Sequence, residues 1–203
     1  GIGKTKHFSY LKCSNCGTLY NIVYPSESLL NSLYQNMPAN MDSEVNTQNQ
    51  IKNQVSYAKY IYKVLNLLDT KNSKNSKNSF LEVGADRGLL IKELKNLLGI
   101  KFKNCIGIEP NNVVLKELKY NLEESSTNSR IYSDINDLDK EYSNKFNLSA
   151  CIHILDHCYE PKELLSNLNN KLKSNGILLI VVHNPESLLA KVLGRKWPPY
   201  CSQ

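Results

Sequence analysis

The chain has 203 residues, a formal net charge of +6 and 41% hydrophobic residues, enough for one core of ordinary size plus an appendage. Its acids and bases are interleaved, so the basic excess does not single out nucleic acid as a partner, and no apolar run approaches the roughly 18–20 residues of a membrane span. No secretory leader pattern is visible, and the six cysteines form one close pair and four scattered positions rather than a disulfide framework, which predicts a reducing, cytoplasmic setting.

Residues 1–36 read as irregular and carry the pair Cys13-Ser14-Asn15-Cys16-Gly17. Two thiolates at this spacing, followed by glycine, can hold one metal ion from a tight turn. Tetrahedral zinc needs four ligands and no second close pair is present, so the pair is either half of a zinc site or two free thiols. His7 is a possible third ligand. A thioredoxin-type redox role is disfavoured because no strand is expected before the pair and no fitting helix after it. Gly1-Ile2-Gly3-Lys4-Thr5 imitates the end of a phosphate-binding loop, but the upstream glycine is absent and no helical pattern follows.

Residues 37–50 are polar and read as loop. From Ile51 the pattern becomes helical, with Ile51, Val55, Ala58, Tyr62 and Leu65 on one face. A repeated Lys-Asn-Ser tract then runs to Ser79 and has nothing to bury, which predicts a linker. We therefore expect a Cys-pair segment over 1–36, a lead helix and polar linker over 37–79, and the main domain over 80–203. The sequence begins at Gly1 and stops at Gln203, soon after Gly194, and reads as a fragment of a longer protein.

The remainder alternates strand and helix. Strands are expected at 79–84, 104–109, 129–133, 147–153 and 176–182, and helices at 88–98, 111–122, 161–173 and 186–193. Pro161 and Pro185 suit first-turn positions, and Asn175-Gly176 and Gly194 suit helix ends. This order predicts an α/β domain with a parallel, doubly wound, Rossmann-like sheet.

The most informative stretch is Phe80-Leu81-Glu82-Val83-Gly84-Ala85-Asp86-Arg87-Gly88, followed by Ile106-Gly107-Ile108-Glu109-Pro110. It reads as strand, glycine turn, helix, and second strand ending in an acid, the first half of a nucleotide-binding unit. Glu109 lies about 20 residues past the turn, where such folds place a carboxylate that grips a ribose. Gly84 and Gly88 let the backbone approach a ligand.

These residues, with Glu82 before the first glycine, resemble class I S-adenosylmethionine (SAM)-dependent methyltransferases. The resemblance extends through Asp134-Ile135, the block Ile154-Leu155-Asp156-His157-Cys158-Tyr159-Glu160-Pro161, which looks like "L-E-H-x-x-x-P", Leu172-Lys173-Ser174-Asn175-Gly176, which looks like "L-K-P-G-G", and Val182-His183-Asn184-Pro185, which looks like "V-P-N-P". It covers about residues 80–197. It implies SAM as cofactor, with Glu109 on the ribose hydroxyls, Glu82 on the ammonium side through backbone groups or water, Asp134 on the adenine amino group and Ile135 against the ring. It implies His157 as a proton acceptor, with a capping or packing role as the alternative for that histidine. His153 reads as buried structure or pocket wall, and His183 as a second candidate. Two positions depart from the family: Asp86 replaces the middle glycine and Asn147 the usual acid early in the fourth strand.

The segment around Cys13 and Cys16 resembles the second knuckle of a small zinc ribbon that precedes some sugar methyltransferases. A small-molecule acceptor, possibly a sugar or glycan intermediate, is what that resemblance implies. The other readings are a dinucleotide-dependent oxidoreductase, which would show G-x-G-x-x-G after the first strand, and a non-catalytic zinc-ribbon binding module, which would show clustered basic and aromatic residues.

Overall fold

The computed structural model describes residues 10–21, 26–36, 44–67, 79–99, 101–138 and 140–197. Gly1–Thr5, His7, most of the Lys-Asn-Ser tract and Cys201 lie outside them. An antiparallel hairpin of β1 (Tyr10–Lys12) and β2 (Leu19–Asn21) comes first, then α1 (Glu27–Asn36) and α2 (Glu44–Leu67). The domain proper runs β3 (Ser79–Val83), α3 (Leu89–Leu98), β4 (Phe102–Ile108), α4 (Leu115–Ser125), β5 (Ser126–Tyr132), β6 (Phe146–Ile152), α5 (Pro161–Lys171), β7 (Leu172–Val181) and α6 (Leu188–Leu193).

The five long strands form one parallel sheet in the order β5-β4-β3-β6-β7. The chain winds outward from β3 in one direction, then crosses back and winds outward in the other. The switch point therefore lies between the carboxyl ends of β3 and β6, where sheets of this kind bind ligands. All five residues of β3 are buried, as expected of a central parallel strand covered on both faces. Alternate residues feed two cores. Phe80, Cys105, Leu148 and Ala150 face Ala58, Ile61, Leu90, Leu94, Leu118 and Leu122 of α2, α3 and α4. Leu81, Val83, Ile106, Ile108 and Cys151 face Ile135, Leu138, Leu164 and Leu168 on the other side.

Several expectations need correction. Within residues 1–36 the described residues are not irregular: the Cys pair sits in the turn of the β1–β2 hairpin, so a strand does precede it. A helix follows only from Glu27. The polar stretch over 37–50 is not all loop, because α2 begins at Glu44. Its buried face is only partly the expected one: Ala58 enters the core and Leu65 packs against it as expected, but Ile61 joins them, whereas Ile51 and Tyr62 are exposed. Periodicity reveals that a face exists, but where α3 sits decides which residues form it. Asn175-Gly176 does not end a helix. It lies inside β7, where the pairing jumps from Phe146↔Leu172 to Leu148↔Ile177, an irregularity that absorbs extra residues. Pro185 lies in a turn, and Ser187 caps α6 by accepting from the Ala190 N–H at 3.2 Å.

No helix among the described residues is long and apolar enough to cross a membrane.

Phe80 is fully buried and stacks obliquely on Phe102, with ring centroids 5.9 Å apart. Phe80→Ala should destabilise the domain by about 3–5 kcal/mol, seen as a lower urea midpoint. Tyr120→Ala on exposed α4 should change stability by no more than about 0.5 kcal/mol.

Candidate active site at the strand carboxyl ends

The turn after β3 is fixed by backbone bonds. Gly84 and Ala85 N–H both donate to the Ile108 carbonyl, at 2.9 and 3.1 Å, and Gly88 N–H donates to the Ala85 carbonyl at 2.8 Å. Gly84 has φ +71°, Asp86 +45° and Gly88 +72°. Aspartate is among the few side chains that tolerate this left-handed region, so replacing the family's middle glycine leaves the turn intact. A Cβ on Gly84 would collide with the Ile154 side chain, which rests on the turn from beyond β6. A Cβ on Gly88 would meet Leu118 Cδ1 at 3.0 Å and Asn121 Cβ at 3.3 Å, so its bareness serves packing against α4. Asn121 also donates through Nδ2 to the Arg87 carbonyl at 2.8 Å.

Glu109, at the end of β4, is buried and accepts from two backbone N–H groups: Asp86 at 2.7 Å through Oε2 and Asn111 at 2.9 Å through Oε1. Each oxygen keeps a lone pair for a further donor. Glu82, within β3, is only 4% exposed and its Oε2 has no hydrogen-bond partner. Burial pushes the Glu82 carboxyl well above its usual range, and Asp86 and Glu109 push it further. Burial likewise raises Asp86 and Glu109. Gln50 of α2 donates to Asp86 Oδ2 at 3.4 Å.

This donor set fits SAM. Three carboxyls raised chiefly by burial, one with an orphaned oxygen, match a ligand carrying an ammonium and a sulfonium, whose positive charge would favour their ionised forms. The lone pairs that Glu109 keeps free match the two donors of a vicinal diol. Asp134 is exposed, at the end of β5, and caps the following 3-10 turn by accepting from the Asn136 N–H at 2.7 Å. Ile135 beside it is buried in the second core.

A second group of side chains gathers beyond β6 and β7. His153 follows β6 with φ +53°. Its Nε2 lies 3.2 Å from the Tyr57 hydroxyl of α2, and its ring stacks on His183 with centroids 4.3 Å apart and planes at 19°. His183 Nε2 lies 3.9 Å from Asp156 Oδ2, and Trp197 meets the His183 ring edge-on at 6.0 Å. Burial lowers the His153 pKa, and His183 lowers it further. His157 is exposed in the 3-10 turn Leu155–His157 after β6, outside this stack. From sequence, His153 reads as buried structure or pocket wall, and the structure places it half-buried; neither Tyr57 nor the pairing with His183 is foreseen there. Two histidines each following an apolar strand were a usable signal, because β6 and β7 are neighbours.

At the hairpin, Cys13 is half-buried and Cys16 exposed. Cys13 N–H donates to the Thr18 carbonyl at 2.8 Å, Gly17 N–H to the Cys13 carbonyl at 2.9 Å, and Gly17 has φ +75°. The Cys16 thiol donates to the Thr18 hydroxyl at 3.2 Å, and hydrogen bonding with Thr18, then Cys13, lowers its pKa to about 7. A surface groove of about 530 Å³ is lined by Asn104, Asn128, Arg130 and Tyr142 along β4 and β5 and includes none of these groups.

The family model described as "Methyltransferase domain" matches residues 52–203. The chain belongs to the methyltransferase-domain family. The match begins within α2, the helix that carries Tyr57. Among solved structures, the plantazolicin methyltransferase BpumL in complex with S-adenosylhomocysteine is 15% identical, with a TM-score of 0.56, over 81% of this chain and 60% of that one. A SAM-dependent methyltransferase from Leishmania major is 14% identical, with a TM-score of 0.52, over 75% of this chain and 59% of that one. These likenesses concern the fold. The chain spans about half to three-fifths of the length of such solved methyltransferases. No curated protein matches it.

The raised carboxyls imply a pH dependence without ligand. A group whose folded pKa exceeds its unfolded value stabilises fully below the unfolded pKa and loses that contribution as pH rises through the folded one. For Glu82 the loss starts near its ordinary value of 4.5 and continues upward. Urea unfolding should therefore show stability falling as pH rises from about 4.5, and Glu82→Gln, which cannot ionise, should flatten that fall.

Proposed function

We propose that the chain transfers a methyl group from SAM to a small-molecule acceptor, with a sugar or glycan intermediate as the acceptor class. The observation that carries the cofactor assignment is the orphaned Glu82 oxygen beside two further raised carboxyls at the ends of β3 and β4. The acceptor class rests on the likeness of the Cys hairpin to the ribbon of sugar methyltransferases.

In this reading Glu109 holds both ribose hydroxyls while its backbone bonds keep it oriented. Glu82 faces the ammonium side, Gly84 and Gly88 shape the turn beneath it, Asp134 takes the adenine amino group with the oxygen not used in its cap, and Ile135 lies against the ring. Bound SAM supplies an electrophilic methyl carbon on a sulfonium, whose carbon–sulfur pair returns to sulfur as the acceptor atom bonds to that carbon. The chain holds the two reactants in line. His157, exposed beyond β6, receives the proton that an acceptor hydroxyl or carbon acid gives up. Ile154 covers Gly84 beside this ligand position.

Cys13 and Cys16 serve as two of the four ligands of a structural zinc ion. The hairpin geometry and the lowered Cys16 thiol support this, because zinc binds thiolates. Zinc should accordingly slow alkylation of Cys16 by iodoacetamide, measured by mass spectrometry, and equal rates with and without zinc would remove the assignment.

Calorimetric titration with S-adenosylhomocysteine tests the main reading. Saturable binding is expected, weakened roughly 10- to 100-fold by Glu109→Ala, equivalent to ~1.5–3 kcal/mol. A folded wild type that does not bind overturns it.

A further inference from the structure

We propose that His153, His183 and Asp156 bind one divalent first-row transition-metal ion, leaving coordination positions open for an oxygen of the methyl acceptor. The second half of this statement rests on the methyltransferase reading; the first does not.

Ligand atoms of these three residues all lie within 4.8 Å of one another. The His183–Asp156 separation of 3.9 Å is too long for a hydrogen bond. It is near the span across an ion held at about 2.0–2.2 Å from each ligand atom. The two imidazoles are stacked, and no hydrogen bond joins them to the Asp156 carboxylate, which leaves ligand atoms of all three side chains available to a shared cation.

His153 adds an independent observation. Its Nδ1 is buried with no hydrogen-bond partner, a costly condition. Its Nε2 is within hydrogen-bond distance of the Tyr57 hydroxyl. A proton on Nε2, donated to Tyr57, leaves the lone pair on Nδ1. Metal-binding histidines are ordinarily fixed in this way, with the second ring nitrogen donating to an oxygen. Trp197 orients the second ring by its edge contact with His183. The positive φ of His153 places a non-glycine residue in strained backbone directly at the end of β6, and such strain persists where the surroundings impose it, often at binding sites.

The donor set selects the ion. Two imidazoles and one carboxylate suit zinc, cobalt, manganese or ferrous iron, whereas calcium and magnesium prefer all-oxygen shells. Three protein ligands are the usual number for a site that keeps a position open. An acceptor hydroxyl bound there would lose its proton more readily. The ion would thereby share with His157 the task of preparing the nucleophile. Position supports the connection: the cluster follows β6 and β7, and Ile154, next to His153, rests on the Gly84 turn.

The experiment uses the full chain carrying Cys13→Ser and Cys16→Ser, so that the hairpin thiols cannot hold the probe. It is titrated with Co2+ and followed by visible absorption and calorimetry. One Co2+ per chain is expected, with ligand-field bands of nitrogen and oxygen ligands. Binding should be abolished by His183→Ala, weakened at least about tenfold by Asp156→Asn, and weakened roughly 10- to 100-fold by Tyr57→Phe, which removes only the group orienting His153. Absence of stoichiometric Co2+ binding, or binding that His183→Ala and Asp156→Asn leave unchanged, overturns the site. Far-UV circular dichroism confirms that each variant is folded, and Asp156→Asn, at a partly exposed position, decides the matter if His183→Ala does not fold. S-adenosylhomocysteine is titrated into the same samples. Co2+ binding without nucleoside binding retains the metal site and removes the cofactor reading; the reverse retains the cofactor reading and removes the metal site.

Discussion

A single strand buried on every side constrains the rest of this molecule. β3 pairs in parallel with β4 on one edge and β6 on the other, and both of its faces are covered. Its backbone groups are satisfied in the sheet, and Ser149 Oγ adds a bond to the Leu81 carbonyl at 3.0 Å. Its side chains must therefore be apolar or be matched by something else. Glu82 is the exception: a carboxyl with an orphaned oxygen in a place where ionisation is opposed by burial and by two neighbouring acids. In the free chain, protonation relieves the conflict. A positively charged ligand would relieve it differently, by making the charged form favourable. The same buried carboxyl that opposes folding as pH rises would favour a cationic ligand.

Both sides of the switch point are held under backbone strain. Asp86 after β3 and His153 after β6 have positive φ without being glycine, and each is contacted by α2. Gln50 reaches Asp86, and Tyr57 reaches His153. On the same helix, Ala58 beside Tyr57 and Ile61 one turn further on anchor it in the core. The helix therefore couples packing to site geometry: burial of its apolar face sets the positions of the two polar groups that meet the strained turns. Carboxylates concentrate at the ends of β3 and β4, and imidazoles at the ends of β6 and β7. The winding order keeps the two groups apart, with β4 and β5 on one side of β3 and β6 and β7 on the other.

The β–α alternation, the order of the strands' apolar runs and the acids at the ends of β3 and β4 were legible in the sequence. These depend on local chemistry: a continuous apolar run is a buried parallel strand, and a glycine turn followed by an apolar-periodic helix has few alternatives. Less was legible near the amino terminus, where polar composition concealed both the hairpin around Cys13 and Cys16 and the first turns of α2. A short hairpin buries little, so its pattern is weak in sequence. The bulge within β7 was also hidden, because Asn-Gly suits a helix end as well as it suits an irregularity in a strand.

The sequence by itself determined the α/β architecture and the spacing that brings Glu82, the Gly84–Gly88 turn and Glu109 together, since those residues lie on consecutive elements joined by short connections. Only the tertiary structure decided that His153 stacks on His183, that Asp156 faces the pair, and that Tyr57 meets His153 from nearly a hundred residues away. Periodicity specifies a helix and a strand but leaves open the rotation of one against the other. That rotation is set by how Ala58 and Ile61 fit among the side chains of α3 and β3, a packing choice that exists only once the whole core has assembled.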